Sequence, residues 1–172
     1  NDVKIPDENI MGTPGKGFYH LMEGLAEGRL IAATGYAASA RVAFNATRDF
    51  VMEREIFGGR LSDMQNTQFK MAELDTEIEI FQVYVDHLVA LHNKGQLDTN
   101  MAAKAKLQGS EIQCRMMDAG VQLHGGAGYM QEYPICGMFT DARINRILAG
   151  SSEVMKVIIS RDIFSQRYQS IF

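Results

Sequence analysis

"LIAATGYAASARVAFNATRDFV", residues 30–51, is the stretch that decides the architecture. Its apolar or small positions Leu30, Ala33, Ala37, Ala40, Phe44, Thr47 and Val51 recur at steps of three and four, while Arg41, Arg48 and, just beyond, Glu53 take the other side. A strand would return to the same face at every second residue, whereas steps of three and four keep one face of a 3.6-residue helix turned inward. The spacing predicts a long amphipathic helix from Leu30, ended near Phe57-Gly58-Gly59.

Outward from it the same period repeats. Met64, Gln68, Met71, Leu74, Ile78, Phe81, Val85 and Leu88 form a second stripe, with Glu73, Asp75, Glu77 and Glu79 on the outer faces and Asn93-Lys94-Gly95 as the stop. A third helix restarts at Asp98 or Thr99 as N-cap, carries Met101, Ala105, Gln108, Ile112, Met116, Ala119 and Leu123, and closes at the glycine run 125–128. A shorter piece near Phe139 to Leu148 and a final one from about Ser152 to about Arg167 follow. Before all of these, residues 1–16 show a short apolar-polar alternation and then Pro, Asn and Gly punctuation, which reads as a strand end and linker from another unit. Past residue 16 no alternating β-branched runs occur. The expected fold is all-α, an up-and-down helical bundle of three long helices plus shorter C-terminal helices over residues 17–172.

Composition excludes several function classes. The 172 residues are 46% hydrophobic and 22% charged, enough for one domain with a core. A net charge of -4 with scattered basic residues makes nucleic acid a poor partner. No apolar run approaches the roughly 18 to 20 residues needed to cross a bilayer, so no membrane span is expected and the location reads as cytoplasmic, or mitochondrial matrix in a eukaryote. Cys114 and Cys136 have no second ligand at metal spacing, so neither a metal site nor a disulfide is expected, and both read as buried thiols. Eleven methionines, mostly on the stripes, read as flexible core filler.

Three corners between helices carry residues suited to a ligand. "REIFGGRLSDMQ", residues 54–65, sets Arg54 in a last helical turn, then Phe57, a glycine pair and Gln65 at the next helix start, a combination able to hold a pyrophosphate. "QLHGGAGYMQEYP", residues 122–134, has three glycines in four positions, which let a ligand approach the main chain; it follows a helix rather than a strand, so a dinucleotide loop of the strand-turn-helix kind is excluded, and His124 reads as structural. "DARINRILAGSSEVMK", residues 141–156, breaks one helix at Gly150 and caps the next with Ser151 and Ser152, leaving N–H groups for an anion or a polar cofactor edge. Taken singly, an arginine that merely favours the helix dipole is the plainer reading at Arg54, and ordinary capping explains the Ser151-Ser152 corner equally well.

Their order resembles the C-terminal helical domain of the acyl-CoA dehydrogenase family: R-x-x-F-G at Arg54 to Gly58, Q-x-x-G-G-x-G-Y at Gln122 to Tyr129, E-Y-P at Glu132 to Pro134, D-A-R-I at Asp141 to Ile144 and G-S-S-E at Gly150 to Glu153. The resemblance implies a longer chain with an N-terminal helical domain and a middle β-domain, whose last strand residues 1–13 resemble. It further implies bound FAD, oxidation of an acyl-CoA substrate to its trans-2-enoyl form, electron-transfer flavoprotein as acceptor, and a homo-oligomer, dimer or tetramer. By the same resemblance Arg54, Phe57, Gln65, Gln122 and Gly126 reach the FAD of a neighbouring subunit, Ser151 and Glu153 meet the subunit's own flavin, and Arg29 and Gly150 lie on the substrate side.

The implied reaction removes an α-proton while a hydride leaves the β-carbon, so a carboxylate is needed within roughly 3 Å of that proton, with its pKa raised by burial. Family members place this glutamate directly before the glycine matched by Gly150 or directly before the arginine matched by Arg29. Here those places hold Ala149 and Gly28. Glu27 is the nearest substitute base, although one residue turns a helical side chain by about 100°; the plainer reading is a solvated acid near a helix start. Two further readings keep the fold: a non-catalytic subunit that contacts a partner's flavin in a mixed oligomer, and a flavin monooxygenase, which needs no such base.

Overall fold

The computed structural model describes residues 2–165. Its helices are α1 (Gly17–Glu53), α2 (Gln65–Asn93), α3 (Thr99–His124), α4 (Pro134–Arg143) and α5 (Ser152–Ile163). All seven expected inward positions of α1 are buried, from Leu30 to Val51. The helix nevertheless begins thirteen residues before Leu30, at Gly17, because its first three turns are helical without a buried face; Phe18, Tyr19 and Leu21 are exposed there. Periodicity therefore had nothing to register in that part. Residues 2–16 contain one short 3-10 turn, Asp7–Asn9, and no strand.

The long helices follow one another up and down, and α3 forms the centre, packed by α1, α2, α4 and α5. Expecting one stripe on α3 understates its burial. Ala102, Ala103, Gly109, Ser110, Gln113, Met117 and Gly120 are buried beside Ala105, Ile112 and Met116, while Gln108 of the expected stripe is exposed. Small residues bring the neighbours close: a Cβ on Gly109 would stand 2.7 Å from Phe81 Cζ, and one on Gly120 would stand 2.7 Å from Ile135 Cδ1. Ala33, Ala37, Ala40 and Ala43 supply the matching narrow surface on α1.

Element ends follow from local chemistry. Asp98 accepts from Met101 N–H at 2.7 Å and caps α3. α2 stops with Gly95 at φ 69°, where the Gly95 and Gln96 N–H groups return to His92 O and Leu91 O. α4 starts at Pro134, five residues before the expected Phe139, since proline suits a first helical turn. A 3-10 turn, Ile144–Arg146, then takes up part of the expected helix to Leu148. The cap of α5 is Ser151 rather than Ser152, and the expected end at Arg167 lies outside the described residues. Cys114 is buried and Cys136 half-buried, both free. Of the methionines only Met116, Met117 and Met155 are buried among the described residues; Met11, Met22, Met52 and Met130 are exposed.

Candidate functional site

The expected site residues fall into two groups. The first surrounds the end of α1. The chain leaves the helix at Arg54, whose N–H still reaches Phe50 O at 2.9 Å, and turns through a hairpin, β1 (Glu55–Ile56) and β2 (Gly59–Arg60), instead of passing directly from helix to helix. Two-residue strands are too short to show alternation, so the sequence signalled only a turn. Both turn residues have positive φ, Phe57 at 49° and Gly58 at 81°. The pair is the primed geometry that matches strand twist, and a phenylalanine there is strained. The Phe57 ring is 98% exposed, so the fold itself gains nothing from the strain.

Beside the hairpin lies a cleft of about 380 Å³ lined by Phe50, Arg54, Ile56, Leu61, Gln122, His124, Gly126 and Tyr133, among others. Arg54, Gln122 and Gly126 thus share one cavity, with Phe57 on the adjoining hairpin face and Gln65 exposed at the first turn of α2. The three loop glycines have different reasons. Gly125 has φ 60°, and a Cβ on Gly128 would strike Val121 O at 2.5 Å, so the fold needs both. Nothing lies within 4 Å of a Cβ on Gly126, and that stretch of main chain is open to a ligand. Phe50 stacks on His124 with centroids 4.1 Å apart, Tyr133 meets both edge-on, and His124 Nδ1 is 2.7 Å from Gly120 O. These aromatic walls escaped the sequence reading because Phe50, on α1, is distant in sequence from His124 and Tyr133, and only the fold brings its ring against theirs. A guanidinium, an exposed amide and open backbone against flat rings fit a nucleotide with a pyrophosphate.

The second group lies at the corner before α5. Ala149 and Gly150 have φ 55° and 99°, and Ser151 Oγ accepts from Val154 N–H at 3.4 Å, a long cap bond. The Glu153 carboxyl, exposed in the first turn, is held below the usual range by its own backbone N–H and then by the Ser151 hydroxyl. Arg29 is buried, and its Nη2 lies 4.0 Å from where a Cβ on Gly150 would sit. Burial pushes the Arg29 guanidinium down. Lys106 of α3 donates to Asn145 O at 2.8 Å and Gly150 O at 2.7 Å, tying the corner to the central helix. Asn145 Nδ2 donates to Gln113 Oε1, Gln113 Nε2 to Ser39 Oγ, and Ser152 Oγ to Glu111 Oε1. Sequence reading missed Lys106; the available signal was its position among Ala102, Ala103, Gly109 and Ser110, one turn away on either side, all buried.

Lys106 and Gln122 are sixteen residues apart on α3, so the two groups stand about 24 Å apart along its axis. Glu27 belongs to neither. It lies mid-helix rather than near a helix start, two positions and roughly 200° around α1 from Arg29. Its carboxylate is 58% exposed and faces His92 of α2 at 3.9 Å. Among the described residues no cluster of metal-binding side chains occurs, and no helix is long and apolar enough to cross a membrane.

Comparison with known proteins matches residues 15–164 to the family model described as acyl-CoA dehydrogenase, C-terminal domain. The chain is 40% identical over 164 residues to the mitochondrial long-chain specific acyl-CoA dehydrogenase of Mus musculus, covering 95% of this chain and 38% of that protein. It is similar to a solved acyl-CoA dehydrogenase from Geobacillus kaustophilus, with a TM-score of 0.92 and 39% identity over 96% of this chain and 43% of that one. A chain in a solved structure described as the electron transferring flavoprotein of Acidaminococcus fermentans matches at a TM-score of 0.90 and 35% identity, over 95% of this chain and 43% of that one. The chain thus spans about two fifths of the relatives it matches. Helical architecture, ordered corner motifs and a family match over nearly the whole length agree, and the chain belongs to the acyl-CoA dehydrogenase family as its C-terminal domain.

Proposed function

We propose that this chain is the C-terminal domain of an FAD-dependent enzyme that carries out α,β-dehydrogenation of an acyl-CoA thioester. The observation that carries the reading is the shared cleft of Arg54, Gln122 and Gly126, where open main chain meets a guanidinium between aromatic walls. Arg54 holds the pyrophosphate of FAD, Gly126 allows its close approach, and Gln122, Phe57 and Gln65 border the same ligand. Bound FAD supplies a hydride acceptor. At the second corner the Ser151 and Glu153 end of α5 meets flavin, while Arg29 and the Gly150 backbone face the thioester. The distance of about 24 Å along α3 supports two flavins per domain, one from a neighbouring subunit, and hence a homo-oligomer, dimer or tetramer. Similarity to a chain from an electron transferring flavoprotein structure supports such a protein as electron acceptor.

Proton removal is the step for which the residues at Arg29 and Gly150 hold no carboxylate, since Gly28 and Ala149 occupy the expected places. Glu27 takes that role only if the turn of α1 at Gly28 opens, because in the described geometry it faces His92. This favours a second reading, a non-catalytic subunit that lends Arg54 and Gln122 to a partner's flavin. Anaerobic mixing of the full-length protein with saturated acyl-CoA separates the two. Bleaching of the flavin band that Glu27→Gln abolishes supports Glu27 as base, and a flavin that no thioester bleaches ends the dehydrogenase reading. Arg54 is exposed and engages no side chain among the described residues, so Arg54→Gln should weaken FAD binding at least about tenfold with the melting temperature of the apoprotein unchanged; unaltered affinity removes the cleft from the assignment.

A further inference from the structure

One side of α3 stays uncovered. Gln108, Arg115, Asp118 and Gln122 follow one another at steps of seven, three and four and are all exposed, so they form a single polar stripe along the helix. Three clefts of about 340, 340 and 370 Å³ meet at Arg115, two toward α2 and the largest toward α4. One of those toward α2 reaches Gln122 and Leu123, which also line the cleft at Arg54. The other is mostly apolar, with Ile80, Tyr84 and Ile112 in its walls. Charges on the α2 side are met within the chain: Arg115 donates from Nε at 3.1 Å and from Nη2 at 2.8 Å to one Glu77 oxygen, and Lys70 is held by Glu73. The cleft toward α4 differs. Arg146 there is bound by Glu111, but Asp118 and Arg143 are exposed and make no hydrogen bond or ion pair among the described residues, with each other or elsewhere. Phe139, 40% exposed, lines the same cleft.

We infer that this face of α3 seats a second copy of the chain, with Arg143 of each protomer paired to Asp118 of the other. Charge complementarity selects the occupant. A cation and a carboxylate that share a cleft without reaching each other leave one charge of each sign on offer, and a uniformly acidic or basic partner answers only one of them. A two-fold copy answers both, because in an isologous contact the first residue of one protomer meets the second of its partner and the reverse holds at the same time. The Phe139 ring and the apolar walls at Ile80 and Ile112 supply the water-excluding surface beside these contacts. Position argues the same way, and here the inference rests on the flavin reading above: the neighbouring subunit whose FAD enters at Gln122 arrives along a groove that is continuous with that cleft.

Sedimentation of the full-length protein over a dilution series tests it. Asp118→Arg and Arg143→Asp each set like charges together at both contacts, and each should raise the dissociation constant of the assembly at least about 100-fold. Both should keep the helical circular dichroism of the wild type. Equal parts of the two variants should reassemble to the wild-type mass, because each contact between unlike protomers again joins opposite charges, and the double variant should do so alone. Recovery on mixing is a result that only contact between copies produces. Single variants that associate as tightly as the wild type would overturn the proposal. So would dissociation that mixing does not reverse: if the double variant alone recovers, the pair lies within one polypeptide and another part of it covers the cleft. A single variant that fails to fold also counts against it, since its side chain is then engaged inside the chain. Mass is read independently of flavin content. Failed reassembly with FAD still held at Arg54 therefore ends this assignment alone, and reassembly of a protein that binds no FAD ends the flavin reading alone.

Discussion

Gly28 and Ala149 are single residues where the expected chemistry and the backbone can be tested apart. A Cβ on Gly28 meets nothing within 4 Å, and the residue is helical and exposed, so Gly28→Glu installs a carboxylate without displacing a neighbour. Its helix propensity exceeds that of glycine by about 0.5–1 kcal/mol, so stability should hold or rise slightly. If the missing base limits the reaction, flavin reduction by acyl-CoA in the full-length protein should accelerate at least about 100-fold; an unchanged rate in stopped flow would place the limitation elsewhere. Ala149 sits at φ 55°, a left-handed conformation that costs an L-residue about 1–2 kcal/mol. Ala149→Gly should raise the urea midpoint by an amount worth about 1 kcal/mol. Lys106 makes the reverse case. Lys106→Met leaves Asn145 O and Gly150 O without their donor and should cost about 1–3 kcal/mol. Burial first, then Arg29, lower the Lys106 pKa from 10.5, with Glu111 and Glu153 opposing. Between that lowered value and 10.5 the unfolded chain binds the proton more tightly, so this residue's contribution to stability rises with pH. The margin of wild type over Lys106→Met in urea unfolding should therefore widen as pH is raised toward 10, and a margin that narrows contradicts the assignment.

Among elements α3 has the least freedom, because four other helices close on it and its glycines mark where two of them come nearest. At Gly109 a methyl group would stand 2.7 Å from Phe81 Cζ and 3.0 Å from Tyr36 Cδ2, both on buried residues of separate helices. Gly109→Ala should therefore destabilise by about 1–3 kcal/mol despite the better helix propensity of alanine, because overpacking outweighs it. A urea midpoint that rises would show that α2 can retreat freely. The hairpin between α1 and α2 is the opposite kind of element. It is short, strained at Phe57 and exposed at its tip, and such strain persists where it serves a contact outside the element.

For the whole molecule, apolar surface is the outstanding feature. Phe18, Tyr19 and Leu21 on the first turns of α1, and Phe69, Ile80 and Val83 along α2, remain exposed in the isolated chain. Exposed large apolar side chains gathered on helix faces in this way are suited to contact with other protein. Sedimentation of the full-length protein should give a dimer or tetramer, and a strictly monomeric species at micromolar concentration would speak against two flavins bridging subunits.

Legibility from sequence tracked how far a property depends on neighbours in the chain. Helical period, a cap at Asp98 or Thr99 and the stop at Asn93-Lys94-Gly95 are local, set by side-chain spacing and backbone freedom within one or two turns, and were read from the sequence, with the structure selecting Asp98 as the cap. The inward face of α1 was legible because one side alone is buried, whereas the single stripe assigned to α3 fell short because its burial comes from elements distant in sequence. The ordered corner motifs pointed to the family from sequence, yet their grouping into a cleft at Arg54 and a cationic corner at Arg29 and Lys106 is tertiary. Only packing could bring α1, α3 and the 145–150 backbone together, and only packing removes the water that would otherwise solvate those charges.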